Sequence, residues 1–199
     1  MNDCYDLAAV AWHHKTVKRL GRAVAVLVMS MTAAGSVGAA PGSSVSEAQL
    51  ESAFLYSFTR FVEWPIDRFA DAAEPIVLGV LGDSMVQKEL EAVVKGRKVN
   101  GREFVVRRVV TATEVRKVHV VFVAVAEDSR FAAIWPGIQD GAVLAVGESS
   151  EFLAIGGAIR FVRQEDRLRF EINVSAADRA RLKISSQLQK LATVVHRDP

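Results

Sequence analysis

The fold is decided by residues 156–195, which read GGAIRFVRQEDRLRFEINVSAADRARLKISSQLQKLATVV. Two apolar runs, 158–162 and 168–174, flank the polar residues 164–166 and predict two antiparallel strands joined by a tight turn. Before this hairpin stands the pair Gly156-Gly157, which we expect to supply backbone with a positive φ. A closing amphipathic helix is predicted to begin at Ser175, with an apolar face that packs on the sheet and consists of Leu182, Leu188, Leu191 and Val195.

Upstream of the hairpin, apolar runs alternate with short helical patterns. The runs 76–81, 104–110, 118–125 and 142–146 predict strands, several of them apolar throughout, as strands buried on both faces are. Helices are predicted from the turn 82–84 to about Val94, over 113–117 and over 129–134. The alternation indicates a single-domain, layered α/β fold with a mixed, partly parallel sheet, helices on its faces and the antiparallel hairpin at one edge.

The opening helix is rich in aromatic residues. Ser46 and Gln49 form the pattern of a capping box, and Pro65 ends the helix near Glu63. Helical spacing places Phe54, Phe58 and Phe61 on a core stripe, so that the side chains left for a contact surface are Tyr56, Arg60 and Trp64.

The first 39 residues have the layout of a cleavable secretory signal peptide. A basic segment precedes the apolar run 23–34, which is too short to span a bilayer, and small residues follow at 37–39. We therefore expect a signal peptide at 1–39, a linker at 40–45 and one domain at 46–199, located in the periplasm. The single cysteine, Cys4, lies in the predicted signal peptide.

The expected mature part has balanced charge. The signal peptide holds four of the 25 Lys and Arg residues and two of the 23 Asp and Glu residues, which leaves 21 of each. A binding surface for nucleic acid needs clustered excess positive charge, so nucleic acid is not expected as a partner.

Residues 156–195 and the segment AFLYSFTRFVEWP at 53–65 closely resemble the YfiR family of periplasmic proteins. The resemblance implies a regulatory protein that represses an inner-membrane diguanylate cyclase by binding its periplasmic domain, thereby lowering cyclic di-GMP and biofilm formation. It also leaves an alternative, a periplasmic module that senses a small molecule for a membrane signalling protein. Val118 stands where relatives commonly have a cysteine, and Glu151 stands where they usually have glycine.

Catalytic chemistry is not indicated. His119 lies in an apolar strand, where a core histidine is the better interpretation, and His196 lies next to the C-terminus, so neither suggests a catalytic base. The expected mature part has no cysteine and no paired histidines, so no metal site is assigned, and no cofactor is expected. The turn at 79–84 differs from a dinucleotide-binding motif in its spacing and contains Asp83.

A second contact surface is predicted beside the glycine pair. Phe152, Leu153 and Ile155 lie in a short segment that need not be buried, and exposed apolar groups there would suit a protein partner. Because the opening helix has more aromatic side chains than one core stripe accommodates, we also expect self-association as a two-fold homodimer.

Overall fold

A seven-stranded sheet runs through the part of the chain that the computed structural model describes, residues 45–82 and 85–197. The predicted signal peptide, Cys4, residues 40–44 of the linker, and Asp83 and Ser84 lie outside the described residues. The strands are β1 (Val62–Glu63), β2 (Ile76–Leu81), β3 (Phe104–Val109), β4 (Val120–Val123), β5 (Leu144–Gly147), β6 (Ile159–Gln164), β7 (Arg167–Asn173), β8 (Lys183–Ile184) and β9 (Val195–His196). The helices are α1 (Glu47–Phe58), α2 (Met85–Val94), α3 (Ala112–Val115), α4 (Asp128–Ile134), α5 (Val174–Arg179) and α6 (Ser186–Leu191).

The strand order of the large sheet is β3-β2-β4-β5-β6-β7-β9. Its strands are parallel from β3 to β6, β6 and β7 form the antiparallel hairpin, and β9 pairs parallel with β7. The predicted mixed α/β fold is thereby confirmed. The hairpin is not the edge of the sheet, however, because β9 lies outside it.

Two apolar cores cover the two faces of the sheet. In β4, Val120 and Phe122 join the core beneath α1, α2 and α6, whereas Val121 and Val123 join the core beneath α3 and α4. All residues of β2, β4 and β5 are buried, as expected of strands covered on both faces. The described residues therefore form three layers, with helices on both faces of the sheet.

The opening helix is shorter than predicted. Its capping box at Ser46 is present, but α1 ends at Phe58 rather than near Glu63. Val62 and Glu63 instead form β1, which pairs antiparallel with Ile184 and Lys183 of β8. The prediction was wrong here because this pairing satisfies the backbone of residues that Pro65 leaves free to be extended.

The closing helix was predicted wrongly as one element. The side chain of Asn173 caps α5, Arg181 has a left-handed φ of 59°, and the side chain of Ser185 caps α6 after β8. These local caps and turns divide the segment into α5, β8, α6 and β9. Leu182 and Leu188 are buried as predicted, whereas Leu191 is 55% exposed and Val195 lies in β9.

Candidate functional site

The chain turns sharply after β1 and leaves a cavity of about 390 Å³ beside Trp64. Pro65 begins a single 3-10 turn, Ile66–Arg68, in which Ile66 is 94% exposed. We call this cavity the Trp64 pocket; it is lined by Thr59, Val62, Glu63, Trp64, Ile66, Phe69, Ile76, Val99, Asn100 and Arg102. Its lining is mainly apolar, with Glu63 and Arg102 as its charged side chains.

Two lining residues of the Trp64 pocket, Phe69 and Arg102, belong to a three-layer stack of side chains that ends on the buried His119. The guanidinium of Arg102 lies 3.8 Å from the centre of the Phe69 ring, and the His119 ring stacks on Phe69 with centroids 4.5 Å apart. Arg102 is fixed by hydrogen bonds of 2.7 Å to the carbonyl oxygens of Asp71 and Glu74. The stack is therefore ordered by cation–π and stacking contacts.

His119 is a core histidine, as predicted. It is fully buried, and its Nδ1 accepts a hydrogen bond of 3.0 Å from the backbone N–H of Val77. Its Nε2 therefore holds the proton and has no hydrogen-bond partner among the described residues. Burial, together with the charges of Arg68 and Arg102, lowers the pKa of His119 to about 3, so that the ring is neutral at ordinary pH.

The contact residues predicted on the opening helix have different environments. Tyr56 is half-buried against Phe104 beside β3, and Arg60 is exposed. Trp64 is half-buried, and its indole N–H donates a hydrogen bond of 3.3 Å to the carbonyl oxygen of His119. Sequence reasoning missed Ile66, although an isoleucine directly after Trp-Pro was a signal for an exposed apolar residue in a turn.

The predicted exposure of Phe152 was wrong. Phe152 is fully buried and stacks on Phe131 with ring centroids 5.1 Å apart. A Cβ atom added at Gly147 would lie 2.4 Å from the Phe152 ring, and one added at Gly157 would lie 2.1 Å from it. Because two glycines leave this space, the ring enters the core instead of facing solvent.

The rest of this second segment is partly covered. Leu153 and Ile155 are half-buried, and Ile155 packs against the core on the α3–α4 face of the sheet, whereas Trp64 packs against the core on the α1 face. Gly156 has the expected positive φ, 109°, but Gly157 does not. Gly157 is required for space beside Phe152 rather than for its backbone angle.

A second cavity, of about 440 Å³, lies beside His196. We call it the His196 pocket; it is lined by Ser150, Leu153, Ala154, Arg160, Glu171, Asn173, Arg179 and His196. Arg160 donates to the Glu171 carboxylate at 2.8 Å and to the Ser150 carbonyl at 2.7 Å, while His196 Nε2 lies 3.4 Å from the same carboxylate. The lining is mainly polar and charged, and Leu153 and Ala154 are its apolar members.

A buried carboxyl group lies on the other side of β6. Glu51 of α1 is 3% exposed and faces Glu148, which follows β5. Burial raises the pKa of Glu51 to about 9, and the hydrogen bond and negative charge of Glu148 contribute to this rise, as does Glu47. Arg163 opposes the shift, but it is engaged with Glu47 at 2.6 Å. Glu51 is therefore protonated at neutral pH.

The turn at 79–84 is described as far as Gly82, which has a φ of 117°. Asp83 and Ser84 lie outside the described residues, and the difference from a dinucleotide-binding motif stays a prediction from the sequence. Within residues 45–82 and 85–197, His, Cys, Asp and Glu side chains form no group of three that could hold a metal ion.

The fold and its cavities define a three-layer α/β domain with partly apolar binding pockets. Residues 48–193 match the YfiR/HmsC-like family, and the chain belongs to this family. Members of the family are periplasmic regulatory proteins. In the part of the chain that the structure describes, no helix has both the length and the apolar character to cross a membrane. A comparison with curated proteins gives no match.

Two solved structures resemble the fold. A conserved domain protein from Vibrio cholerae O1 biovar El Tor superimposes with a TM-score of 0.52 at 11% identity, over 76% of this chain and 60% of that chain. The ABC domain from Streptococcus pneumonia in complex with L-Trp gives a TM-score of 0.49 at 14% identity, over 75% of this chain and 60% of that chain. This chain thus spans 60% of the length of each. At 11% identity the likeness to the Vibrio cholerae protein concerns the fold alone.

Proposed function

We propose that the protein represses an inner-membrane diguanylate cyclase by binding the periplasmic domain of that enzyme, which lowers cyclic di-GMP and biofilm formation. The protein acts by contact, without a catalytic step of its own, after export by a cleavable signal peptide. To repress, it binds the inactive conformation of the cyclase more tightly than the active one.

The Trp64 pocket carries this proposal. Ile66 is the most exposed large apolar side chain described, and it lies beside Trp64 and the stacked Arg102 and Phe69. An aromatic and an arginine around a concave apolar surface are typical of the centre of a protein interface. We include the exposed Arg60 in the proposed contact surface, although it does not line the pocket, and we leave out Phe152 because it is buried.

We expect Ile66→Asp to raise cyclic di-GMP in cells to the level of a deletion strain, because a charge at the centre of the interface opposes its burial in the complex. Ile66 contributes little to the protein's own core, so the substitution should change the free energy of unfolding by less than about 0.5 kcal/mol. Cyclic di-GMP is measured in both strains, and the melting curve is recorded for the purified variant.

Leu191→Asp is the matched control, since Leu191 is 55% exposed and does not line the Trp64 pocket. This variant should leave cyclic di-GMP unchanged. If deletion of the gene does not raise cyclic di-GMP under several growth conditions, the repressor proposal is wrong.

A second function is favoured by the His196 pocket, namely sensing of a small molecule for a membrane signalling protein. The pocket joins the charges of Arg160 and Glu171 to the apolar surface of Leu153 and Ala154. It therefore suits a small molecule with a charged group and an apolar part.

Leu153→Trp should fill the His196 pocket and leave no space for a ligand. The variant should therefore abolish the response of cyclic di-GMP to the molecule that is sensed. Leu153→Met preserves side-chain volume and should leave the response intact. Basal cyclic di-GMP is followed in both strains while extracts of small molecules are added. A normal response in Leu153→Trp cells would show that the His196 pocket is not the site that binds the sensed molecule.

A two-fold homodimer remains part of the proposal. The opening helix has less excess aromatic surface than its sequence indicated, because Phe54 packs against Phe58, Phe161 and Phe170 within the chain. Met85 is an exposed apolar side chain outside the Trp64 pocket that a second copy could cover.

A further inference from the structure

Strand β3 is an edge of the large sheet with free backbone groups. Among the described residues it pairs only with β2, in a parallel register that matches Ile76 to Phe104, and the N–H of Ile76 donates to the carbonyl oxygen of Glu103. Because successive residues of a strand point their backbone groups to opposite sides, Val105 and Arg107 also face β2. The N–H and C=O groups of Phe104, Val106 and Arg108 therefore face outward, and the structure gives them no partner among the described residues.

A groove of about 350 Å³ lies beside this edge, between the end of α2 and β3. Its apolar floor consists of Val94, Phe104 and Val106. Lys95, Arg97 and Lys98 form its rim, and Arg107 and Arg108 are exposed on the strand itself. An edge strand next to a groove under a helix is an arrangement that binds extended peptides by strand addition.

The charge of this region is strongly one-sided. Four cations, Lys95, Arg97, Lys98 and Arg108, outnumber Glu91 and Glu103 on this side of the sheet, and Lys98 and Glu103 form an ion pair at 3.1 Å. The side chain of Arg107 lies on the opposite face of β3, because side chains alternate along a strand. The groove thus favours an occupant that carries several negative charges.

We propose that β3 and its groove bind an extended, acidic segment of a partner protein as an added strand. The backbone of the segment would pair with Phe104, Val106 and Arg108, its alternate apolar side chains would enter the groove, and its carboxylates would meet the basic rim. A second copy of this chain is a poor occupant, because pairing two β3 edges would bring Arg107, Arg108 and the basic rims of both copies close together. The site shares no lining residue with the Trp64 pocket and does not depend on the repressor proposal.

The test uses protein isolated from cells that express the full chain, labelled with ¹⁵N. The probe is the peptide EVEVEVE, acetylated and amidated at its ends. We expect its titration to shift the amide signals of Phe104, Val106 and Arg108. Two further peptides are methylated at every second backbone nitrogen, one at the odd positions and one at the even positions. One of them should bind roughly tenfold more weakly or worse, because its methyl groups replace the N–H groups that donate to β3.

Val106→Pro is the informative variant, because it removes an outward N–H without removing a hydrogen bond to β2. It should bind the peptide roughly tenfold more weakly than Val106→Thr, which keeps the N–H, and a melting curve checks that both are folded. Ile66→Asp should bind the peptide normally, which separates this site from the Trp64 pocket.

Several results would overturn the proposal. They are the absence of amide shifts at β3 with millimolar peptide, equal binding by Val106→Pro and Val106→Thr, and equal binding of both methylated peptides. Equally tight binding of polyglutamate, or of vesicles that contain phosphatidylglycerol, would also overturn it, since the basic rim alone would then explain attraction to any anion.

Discussion

Phe152→Ala is expected to lower the free energy of unfolding by about 3 to 5 kcal/mol, the range for truncating a fully buried phenylalanine. Phe152 has no exposed surface, and its ring contacts Phe131 in the core beneath α3 and α4. Removing the ring leaves a cavity beside Gly147 and Gly157. This cavity cannot collapse easily, because Gly147 belongs to β5 and Gly157 directly precedes the strand region of β6, so the backbone at both positions is held in place. Denaturant unfolding of the purified variant gives the value.

The same contact predicts strong coupling between Phe152 and Gly157. Gly157→Ala alone should destabilise the protein, because the new methyl group would lie 2.1 Å from the Phe152 ring unless something shifts. In a Phe152→Ala background the ring is absent, so the added methyl group should cost little or fill part of the cavity. A double-mutant cycle should therefore give a coupling free energy above about 1 kcal/mol.

Leu153→Ala is the control, since Leu153 is adjacent in sequence but only half-buried and should cost less. Additive effects of the Phe152 and Gly157 substitutions would contradict the packing described above. The result also bears on function: a rise in cyclic di-GMP in a Phe152→Ala strain would reflect unfolding and not a lost partner contact.

The sheet was predictable because its signals are local. The apolar runs of β2, β4 and β5 are continuous. The two apolar runs of the hairpin, in β6 and β7, are separated by the polar residues 164–166. Its turn adopts left-handed angles at Glu165 and Asp166, with φ of 49° and 57°, as two-residue hairpin turns require. Alternation of such strands with helices then fixes a mixed α/β fold.

The errors occur where distant residues decide the local structure. Residues 175–195 have a helical pattern, yet β8 forms because Lys183 and Ile184 pair with residues 62–63, more than a hundred positions away. Hydrophobic periodicity depends on neighbouring residues in the sequence, so it does not reveal a pairing between distant segments. Only the two N-caps, Asn173 and Ser185, were visible in the sequence as signs of two separate helices.

The candidate site was predictable only in part for the same reason. The aromatic character of residues 53–65 pointed to Trp64, which lines the Trp64 pocket, and to Arg60, which is exposed but does not line it. The stack of Arg102, Phe69 and His119 joins three segments, so no single motif encodes it. The burial of Phe152 depends on the space left by Gly147 and Gly157. The sequence shows that both residues are glycines, but it does not show which side chain occupies the space beside them.

Stability should decline as the pH rises from about 6.5 to 9, because Glu51 is protonated in the folded protein and ionised in the unfolded chain. Its pKa rises from 4.5 in the unfolded chain to about 9 in the folded protein, so folding binds a proton throughout this interval. His119 acts in the opposite direction: its pKa falls from 6.5 to about 3, so acid below pH 6.5 favours the unfolded chain. Between pH 4.5 and 6.5 the two effects oppose each other and should give a plateau.

Of these two groups Glu51 alone contributes above the plateau, and its ionisation should remove at most about 1.4 kcal/mol per pH unit. Glu51→Gln mimics the protonated carboxyl group beside Glu148, so it should flatten the decline and make the protein more stable than the wild type at a pH of about 8.5. Glu91→Gln alters an exposed glutamate of α2 and should leave the decline unchanged. Free energies of unfolding measured from about pH 5 to 9 decide the matter, and an equally steep decline in Glu51→Gln would show that Glu51 does not hold the proton.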